Sequence, residues 1–132
     1  MIKGIGHLGI FVNNIDDSLK ALSKFVDIEK PTIKEAPEAG VKATVVAIGG
    51  MELELIQDYS GEGPLAQLVD DKGDMIHHFC LLTDNIEEDL ENLKQRGVEM
   101  IDQTPRFGLR GKKIAMSAPS ALNGISIELS EP

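Results

Sequence analysis

A stretch near the N-terminus occurs twice and constrains what this chain can fold into. The two copies, IGHLGIFVNNI and IHHFCLLTDNI, lie at residues 5–15 and 76–86. They align His7 with His78, and the match continues into the residues that follow. A repeat this long fits two copies of one supersecondary unit rather than the short period of a solenoid. Two copies that each place a histidine at the same strand position predict a site shared between them.

Each copy begins with a short apolar segment followed by a segment of helical periodicity. In the first copy the spacing predicts a strand over 5–12, then a helix capped by Asn14 or Asp16 that ends near Asp27. Further strands of this copy are predicted at residues 31–36, on a sheet edge, and at 41–48 and 51–56, which a Gly49-Gly50 hairpin connects. The first copy is therefore predicted to be a βαβββ module.

The second copy follows a connector that carries a short helix around Pro64 to Val69. A strand over 76–83 and a helix from about 86 to 96 repeat the opening of the first copy. The remaining predicted strands are Val98 to Ile101, Lys112 to Ser117 and Gly124 to Leu129, with a loop from Pro105 to Gly111.

These elements predict one α+β domain over residues 1–132. Its two βαβββ modules form one curved mixed sheet around a metal site, with the helices on the outer face. The predicted limits are about 3–58 for module 1, about 59–74 for the connector and about 75–132 for module 2.

Composition excludes several classes of partner. The net charge of -9 argues against nucleic acid, because phosphate backbones need a basic surface. The single cysteine, Cys80, excludes an internal disulfide. No apolar run approaches the roughly 20 residues that span a bilayer, and the N-terminus leads directly into the first strand without a signal peptide. We expect a soluble cytoplasmic protein with no membrane partner.

Two histidines and two glutamates occupy matching positions in the two copies. His7 and His78 lie in the first strand of each copy. Glu54 and Glu128 lie in the last strands, each followed by a leucine, while Glu52 shares the face of Glu54 and is its rival. Two imidazoles and two carboxylates suit a divalent first-row metal, and a carboxylate inside an apolar strand is costly without a partner such as a cation. The four residues therefore predict a metal site.

With this module plan and these four residues, the chain resembles the vicinal oxygen chelate superfamily. Within it, the chain is most similar to the methylmalonyl-CoA epimerase family, and the resemblance covers nearly the whole chain. The stretches that carry it are residues 7–10 (HLGI), 37–41 (PEAGV), 54–56 (ELI), 63–66 (GPLA), 75–78 (MIHH) and 106–113 (RFGLRGKK).

The resemblance implies removal of the α-proton beside a thioester carbonyl, which interconverts (R)- and (S)-methylmalonyl-CoA or a close acyl-CoA relative. One divalent metal ion per chain would be held by His7, Glu54, His78 and Glu128 and would stabilise the enolate. Cobalt is the first expectation, with nickel, manganese, zinc or iron as alternatives. Epimerisation needs a base on each face of the enolate, and the resemblance assigns these roles to Glu38 and Glu128.

The resemblance also implies an acyl-CoA partner and a homodimer. Arg110, Lys112 and Lys113 are the candidate contacts to the coenzyme A phosphates, against the alternative that they are ordinary surface cations.

Three other functions are compatible with parts of the sequence. A glyoxalase I-like lactoylglutathione lyase would use the same four ligands on a thiol hemithioacetal, although the first strand lacks an arginine for a glutathione carboxylate. A non-catalytic binding or resistance protein on this fold would be expected to have lost ligands. An extradiol dioxygenase would need an iron site with two histidines and one carboxylate and further supporting residues, which we do not find.

Overall fold

Eight strands, three α-helices and two 3-10 turns make up the computed structural model, which describes residues 1–29 and 31–132. The strands are β1 (Ile2–Phe11), β2 (Lys34–Ala36), β3 (Val41–Ile48), β4 (Met51–Asp58), β5 (Met75–Thr83), β6 (Arg106–Phe107), β7 (Lys113–Met116) and β8 (Ser126–Ser130). The helices are α1 (Ile15–Leu22), α2 (Pro64–Lys72) and α3 (Ile86–Gln95), and the 3-10 turns are Pro37–Ala39 and Pro119–Ala121.

The strands form one sheet in the order β2-β3-β4-β1-β5-β8-β7-β6. Strands β5 and β8 pair in parallel. Strand β3 pairs antiparallel with β2 and with β4, and β7 pairs antiparallel with β6 and with β8. The sheet is therefore mixed. The predicted α+β class and the edge position of β2 are confirmed. The elements from β5 onward have the order β-α-β-β-β, but the strand after α3 is β6 and not the one predicted at 98–101.

Residue contacts group the chain into two compact units. The central unit is Leu8–Ile76, and the terminal unit combines Met1–His7 with His77–Pro132. The core of the central unit contains Val12, Ile15, Val46 and Leu55. The core of the terminal unit contains Ile86, Leu90, Met100, Ala115 and Leu129. Both cores place the apolar stripe of a helix, α1 or α3, against strands, as the helical periodicity predicts.

The sequence repeat corresponds to a structural repeat at the starts of α1 and α3. The Asn14 side chain accepts a hydrogen bond from the backbone N–H of Asp17 at 2.9 Å. Asn85 accepts from Glu88 in the same way at 3.3 Å. Each asparagine satisfies a backbone donor that the first helical turn leaves without a partner.

Helix α1 is shorter than predicted, because it ends at Leu22 rather than near Asp27. The Ser23 hydroxyl donates to the carbonyl of Lys20, and tight turns replace the helical hydrogen bonds beyond this point. Phe25, which lies beyond the last helical turn, is 84% exposed. Among the described residues, no helix has the length and apolar character needed to cross a bilayer.

The strand predicted at residues 98–101 is not formed. Only an isolated bridge joins Met100 to Ser117. The carboxylate of Asp102 accepts the backbone N–H of Met116 at 2.8 Å, so a side chain occupies the position that a neighbouring strand would take.

The predicted loop from 105 to 111 contains the short strand β6 instead. At the start of β6, Nε of Arg106 forms a 2.9 Å ion pair with the carboxylate of Asp102. Gly108 follows, where a Cβ would lie 2.9 Å from the Cδ1 of Ile114. The absence of a side chain at Gly108 lets the backbone pass this close to β7.

Asp58, at the end of β4, organises the connection to α2. Its Oδ1 accepts hydrogen bonds from the backbone N–H groups of Ser60, Gly61 and Gly63 and from the Ser60 hydroxyl. Its Oδ2 accepts the N–H of Ala66 in the first turn of α2 at 3.1 Å. Gly63, the residue before α2, has no side chain to cap the helix, so Asp58 performs this function from eight residues away.

We expect Asp58→Ala to lower the melting temperature by several degrees, because five donors lose one acceptor. Burial raises the pKa of Asp58, but the hydrogen bonds from Ser60, Ala66, Gly63 and Gly61 outweigh it and the net pKa is lowered from 3.8. The stabilisation is therefore present above pH 3.8 and is lost as the pH falls through the lowered pKa. Thermal unfolding between pH 2 and pH 7 measures both effects.

Gly63→Ala is the companion variant, since its Cβ would lie 2.6 Å from Oδ2 of Asp58. A melting temperature for Asp58→Ala equal to that of the unmodified protein at pH 7 would contradict this role for the carboxylate.

Candidate metal site

Strands β5 and β8 place polar side chains on one face of the terminal unit. In this parallel pair, His78 is the partner of Ser126 and Cys80 is the partner of Glu128. Alternate residues of a strand share a face, so His78, Cys80 and Glu128 point to the same side. His7, from β1, joins them. Both histidines are 3% exposed and Glu128 is 7% exposed, so the cluster is buried.

The ligand atoms of this cluster converge. The Nε2 atoms of His7 and His78 are 3.4 Å apart. Oε1 of Glu128 lies 3.4 Å from Nε2 of His7, and its Oε2 lies 3.9 Å from Nε2 of His78. Around a tetrahedral ion with metal–nitrogen bonds of about 2.1 Å, ligand atoms stand about 3.4 Å apart. The distances from His7 to His78 and to Oε1 of Glu128 match this spacing, and the nitrogen and oxygen donors suit a first-row metal.

The protonation of His78 also favours metal binding. Burial, together with the neighbouring rings of His77 and His7, lowers the pKa of His78 from 6.5 to about 3. The imidazole is consequently neutral at physiological pH and retains a nitrogen lone pair, which is the form that coordinates metals.

Cys80, which was not among the predicted ligands, belongs to this cluster. Its Sγ and the ligand atoms of His7 and Glu128 lie within 4.8 Å of one another. Burial and the charge of Glu128, with a hydrogen bond to that carboxylate, raise the pKa of Cys80 to about 12. The residue is thus a neutral thiol near pH 7. The period of two from His78 in β5 was the signal that could have identified it.

Glu54, the fourth predicted ligand, lies on β4 in the central unit. It is 7% exposed and is the cross-strand partner of Val45 on β3. Its rival Glu52 is only partly buried. Because an ionised carboxylate is costly to bury without compensation, burial favours Glu54 over Glu52 as the residue with a specific role.

The three cations predicted to contact coenzyme A have different environments. Arg110 extends a guanidinium nitrogen, Nη1, to 3.4 Å from Nδ1 of His7, beside the cluster. Its charge also counteracts the rise in the pKa of Cys80. Lys113 forms a 3.0 Å ion pair with Glu87, a contact that raises the pKa of Lys113. Lys112 is exposed.

Glu38, the predicted second base, lies in the 3-10 turn Pro37–Ala39 of the central unit. Its side chain is exposed. The turn ends at Gly40, whose φ of 72° is in the left-handed region that glycine adopts readily.

Residues 6–116 match the family described as the glyoxalase/bleomycin resistance protein/dioxygenase superfamily. The uncharacterised protein YqjC of Bacillus subtilis (strain 168) is 31% identical over 128 residues, which cover 97% of this chain and 91% of YqjC. The mitochondrial methylmalonyl-CoA epimerase of Dictyostelium discoideum is 29% identical over 133 residues, with coverage of 98% and 79%.

A solved structure of methylmalonyl-CoA epimerase in complex with methylmalonyl-CoA and NH4+ has the same fold. It superposes with a TM-score of 0.86 at 22% identity, covering 99% of this chain and 95% of that one. The matched family spans most of this chain, and the fold agrees with it. This chain therefore belongs to the glyoxalase/bleomycin resistance protein/dioxygenase superfamily.

Proposed function

We propose that this chain is a metal-dependent epimerase that inverts the α-carbon of methylmalonyl-CoA or a close acyl-CoA relative. The convergence of the ring nitrogens of His7 and His78 with the carboxylate of Glu128 in a buried cluster carries the proposal. The epimerase of Dictyostelium discoideum and the structure with bound methylmalonyl-CoA support the reaction and the substrate class.

The proposed ligands of one divalent ion per chain are His7, Glu54, His78 and Glu128, with cobalt as the first choice and nickel, manganese, zinc or iron as alternatives. When bound, the ion would supply positive charge where the thioester oxygen becomes negative, an effect worth several kcal/mol. The resemblance also leads us to propose a homodimer.

Glu128 is the proposed base on one face of the α-carbon. Its carboxylate has two oxygens, which face different imidazoles. Proton transfer requires one of these oxygens to turn toward the α-carbon while the other stays beside the imidazoles. The neighbouring thiol of Cys80 does not compete as a base, because its pKa of about 12 keeps it protonated.

Glu38 is the proposed base on the opposite face. We expect Glu38→Gln to remove α-proton exchange for one epimer of methylmalonyl-CoA and to leave it for the other, because Glu128 still serves one face. Each epimer is incubated separately in deuterated water, and deuterium at C2 is followed by mass spectrometry.

The same assay tests the proposed function. The unmodified protein should introduce deuterium into both epimers, and a lack of deuterium at C2 in either one would refute epimerisation. Exchange of both epimers at full rate by Glu38→Gln would leave the reaction intact but exclude Glu38 as a base.

Contacts to the coenzyme A phosphates are proposed for Arg110, Lys112 and Lys113. Lys112 is exposed, whereas Lys113 already pairs with Glu87 and Arg110 lies beside His7. Lys112 is therefore the cation that we expect to contribute most to phosphate binding.

A glyoxalase I-like lyase is the second candidate, and the exposure of Glu38 favours it. Isomerising a hemithioacetal moves a proton between adjacent carbons, which one base on one face can accomplish. Turnover of the hemithioacetal of methylglyoxal and glutathione, without deuterium incorporation into methylmalonyl-CoA, would support this candidate over the epimerase.

A further inference from the structure

Two adjacent histidines in β5, His77 and His78, are in direct contact through their side chains. Their Nδ1 atoms are 3.0 Å apart. The ring planes are nearly perpendicular, at 86°, with centroids 5.2 Å apart. A single hydrogen can lie between two nitrogens at this distance, so one ring donates and the other accepts.

The direction of this hydrogen bond decides what His78 presents to the cluster. A neutral imidazole has one N–H and one bare nitrogen, which carries no hydrogen and has its lone pair available to a metal. Nε2 of His78 is the atom that faces His7 and Glu128. For Nε2 to be bare, the hydrogen must be on Nδ1, where it points at His77.

We propose that His77 is a positioning residue for the metal site: its Nδ1 accepts the hydrogen of His78 Nδ1–H and thereby holds Nε2 of His78 bare toward the ion. This inference rests on the metal site of the proposed function. Ligand histidines commonly donate their second ring N–H to a nearby acceptor, which orients the ring. Here the acceptor is the preceding residue of the same strand.

The first copy of the repeat has no counterpart to His77. The repeat aligns His77 with Gly6, where a Cβ would lie 2.9 Å from Cδ2 of Leu82. A side chain at Gly6 would therefore require Leu82 to move. The corresponding Nδ1 of His7 instead lies 3.4 Å from a guanidinium nitrogen of Arg110, which can only donate. The two imidazoles thus have different neighbours at Nδ1, Arg110 for His7 and His77 for His78.

The first test is the affinity for cobalt(II), measured by competition with a chromophoric chelator. We expect His77→Ala to weaken binding by 10- to 100-fold, which is the usual effect of removing such a partner. His77→Gln should recover most of the affinity, since its amide oxygen can accept the same hydrogen bond. Ile76→Ala, an exposed apolar residue of the same strand, should bind cobalt as the unmodified protein does.

The second test observes the tautomer directly in the metal-free protein. The chain has only three histidines, so a ¹⁵N–¹H correlation spectrum of histidine-labelled protein can be assigned with single variants. We expect the hydrogen of His78 on Nδ1 in the unmodified protein, and a shift toward the Nε2–H form in His77→Ala.

Failure of this inference can be distinguished from failure of the metal site. If the unmodified protein binds no cobalt, the proposed metal site is wrong. If it binds cobalt and His77→Ala binds equally well, or if the hydrogen of His78 is on Nε2, the metal site stands and the role of His77 is wrong. Should His77→Ala fail to fold, the spectrum of the unmodified protein still decides.

Discussion

His78→Ala is expected to abolish stoichiometric cobalt binding by the purified protein. The substitution removes a neutral imidazole whose Nε2 lies 3.4 Å from that of His7 and faces Glu128. Losing a direct ligand should exceed the 10- to 100-fold effect of losing a residue that only orients one. We therefore expect the affinity to fall by more than about 100-fold. Equilibrium dialysis against cobalt(II), with the bound metal quantified by elemental analysis, measures this change.

Ile76→Ala is the matched control, because it shortens an exposed side chain of the same strand. It should bind one cobalt ion per chain. Circular dichroism establishes that His78→Ala retains its secondary structure, so that loss of metal is not loss of fold. Cobalt binding by His78→Ala equal to that of the control would eliminate His78 as a ligand and, with it, the proposed site.

Glu128→Gln should lower the rate of α-proton exchange at C2 of methylmalonyl-CoA by at least about 100-fold, the low end of what a general base contributes. The amide keeps an oxygen at the position of the carboxylate but cannot accept the proton. We expect the variant to bind cobalt more weakly than the unmodified protein, and its exchange rate should remain low at cobalt concentrations that saturate it. Exchange in deuterated water at saturating cobalt separates the base from the ligand.

Glu91→Gln is the control for this substitution. Glu91 is an exposed acid that pairs with Lys94 on the same helix, α3. The variant should exchange the α-proton at the normal rate. If Glu128→Gln also retained the normal rate at saturating cobalt, Glu128 could not be the base, and its role would be limited to metal binding.

The histidines and the helix starts could be predicted because they follow from local patterns. A strand period of two and a helical period of 3.6, repeated in two halves of the chain, identify His7 with His78 and Asn14 with Asn85. The structure forms both helix caps and brings the two histidines together. The alternation also places Glu54 and Glu128 on the faces opposite their neighbouring leucines, and the structure buries both carboxylates, which alternation alone does not require.

Other features depend on contacts between distant residues, which no local pattern records. The position of Arg110 beside His7 results from the path of the segment between β6 and β7. In the sequence, nothing distinguishes Asp58 from any other acidic residue at the end of a strand. Its role arises from the five donors that the following turn and the first turn of α2 supply. The short strand β6 pairs with β7, and Asp102 contacts Arg106 at the start of β6, whereas propensity alone favoured a loop from 105 to 111.

The parallel pairing of β5 with β8 has a consequence for how such a protein can diverge. The positions of His78, Cys80 and Glu128 are fixed by backbone hydrogen bonds of two central strands, not by the segments that join them. A one-residue slip would turn all of these side chains to the other face, whereas an insertion in the turn at 119–124 lies outside this pairing. The surroundings of the cluster can therefore change by loop replacement while His78, Cys80 and Glu128 stay where they are.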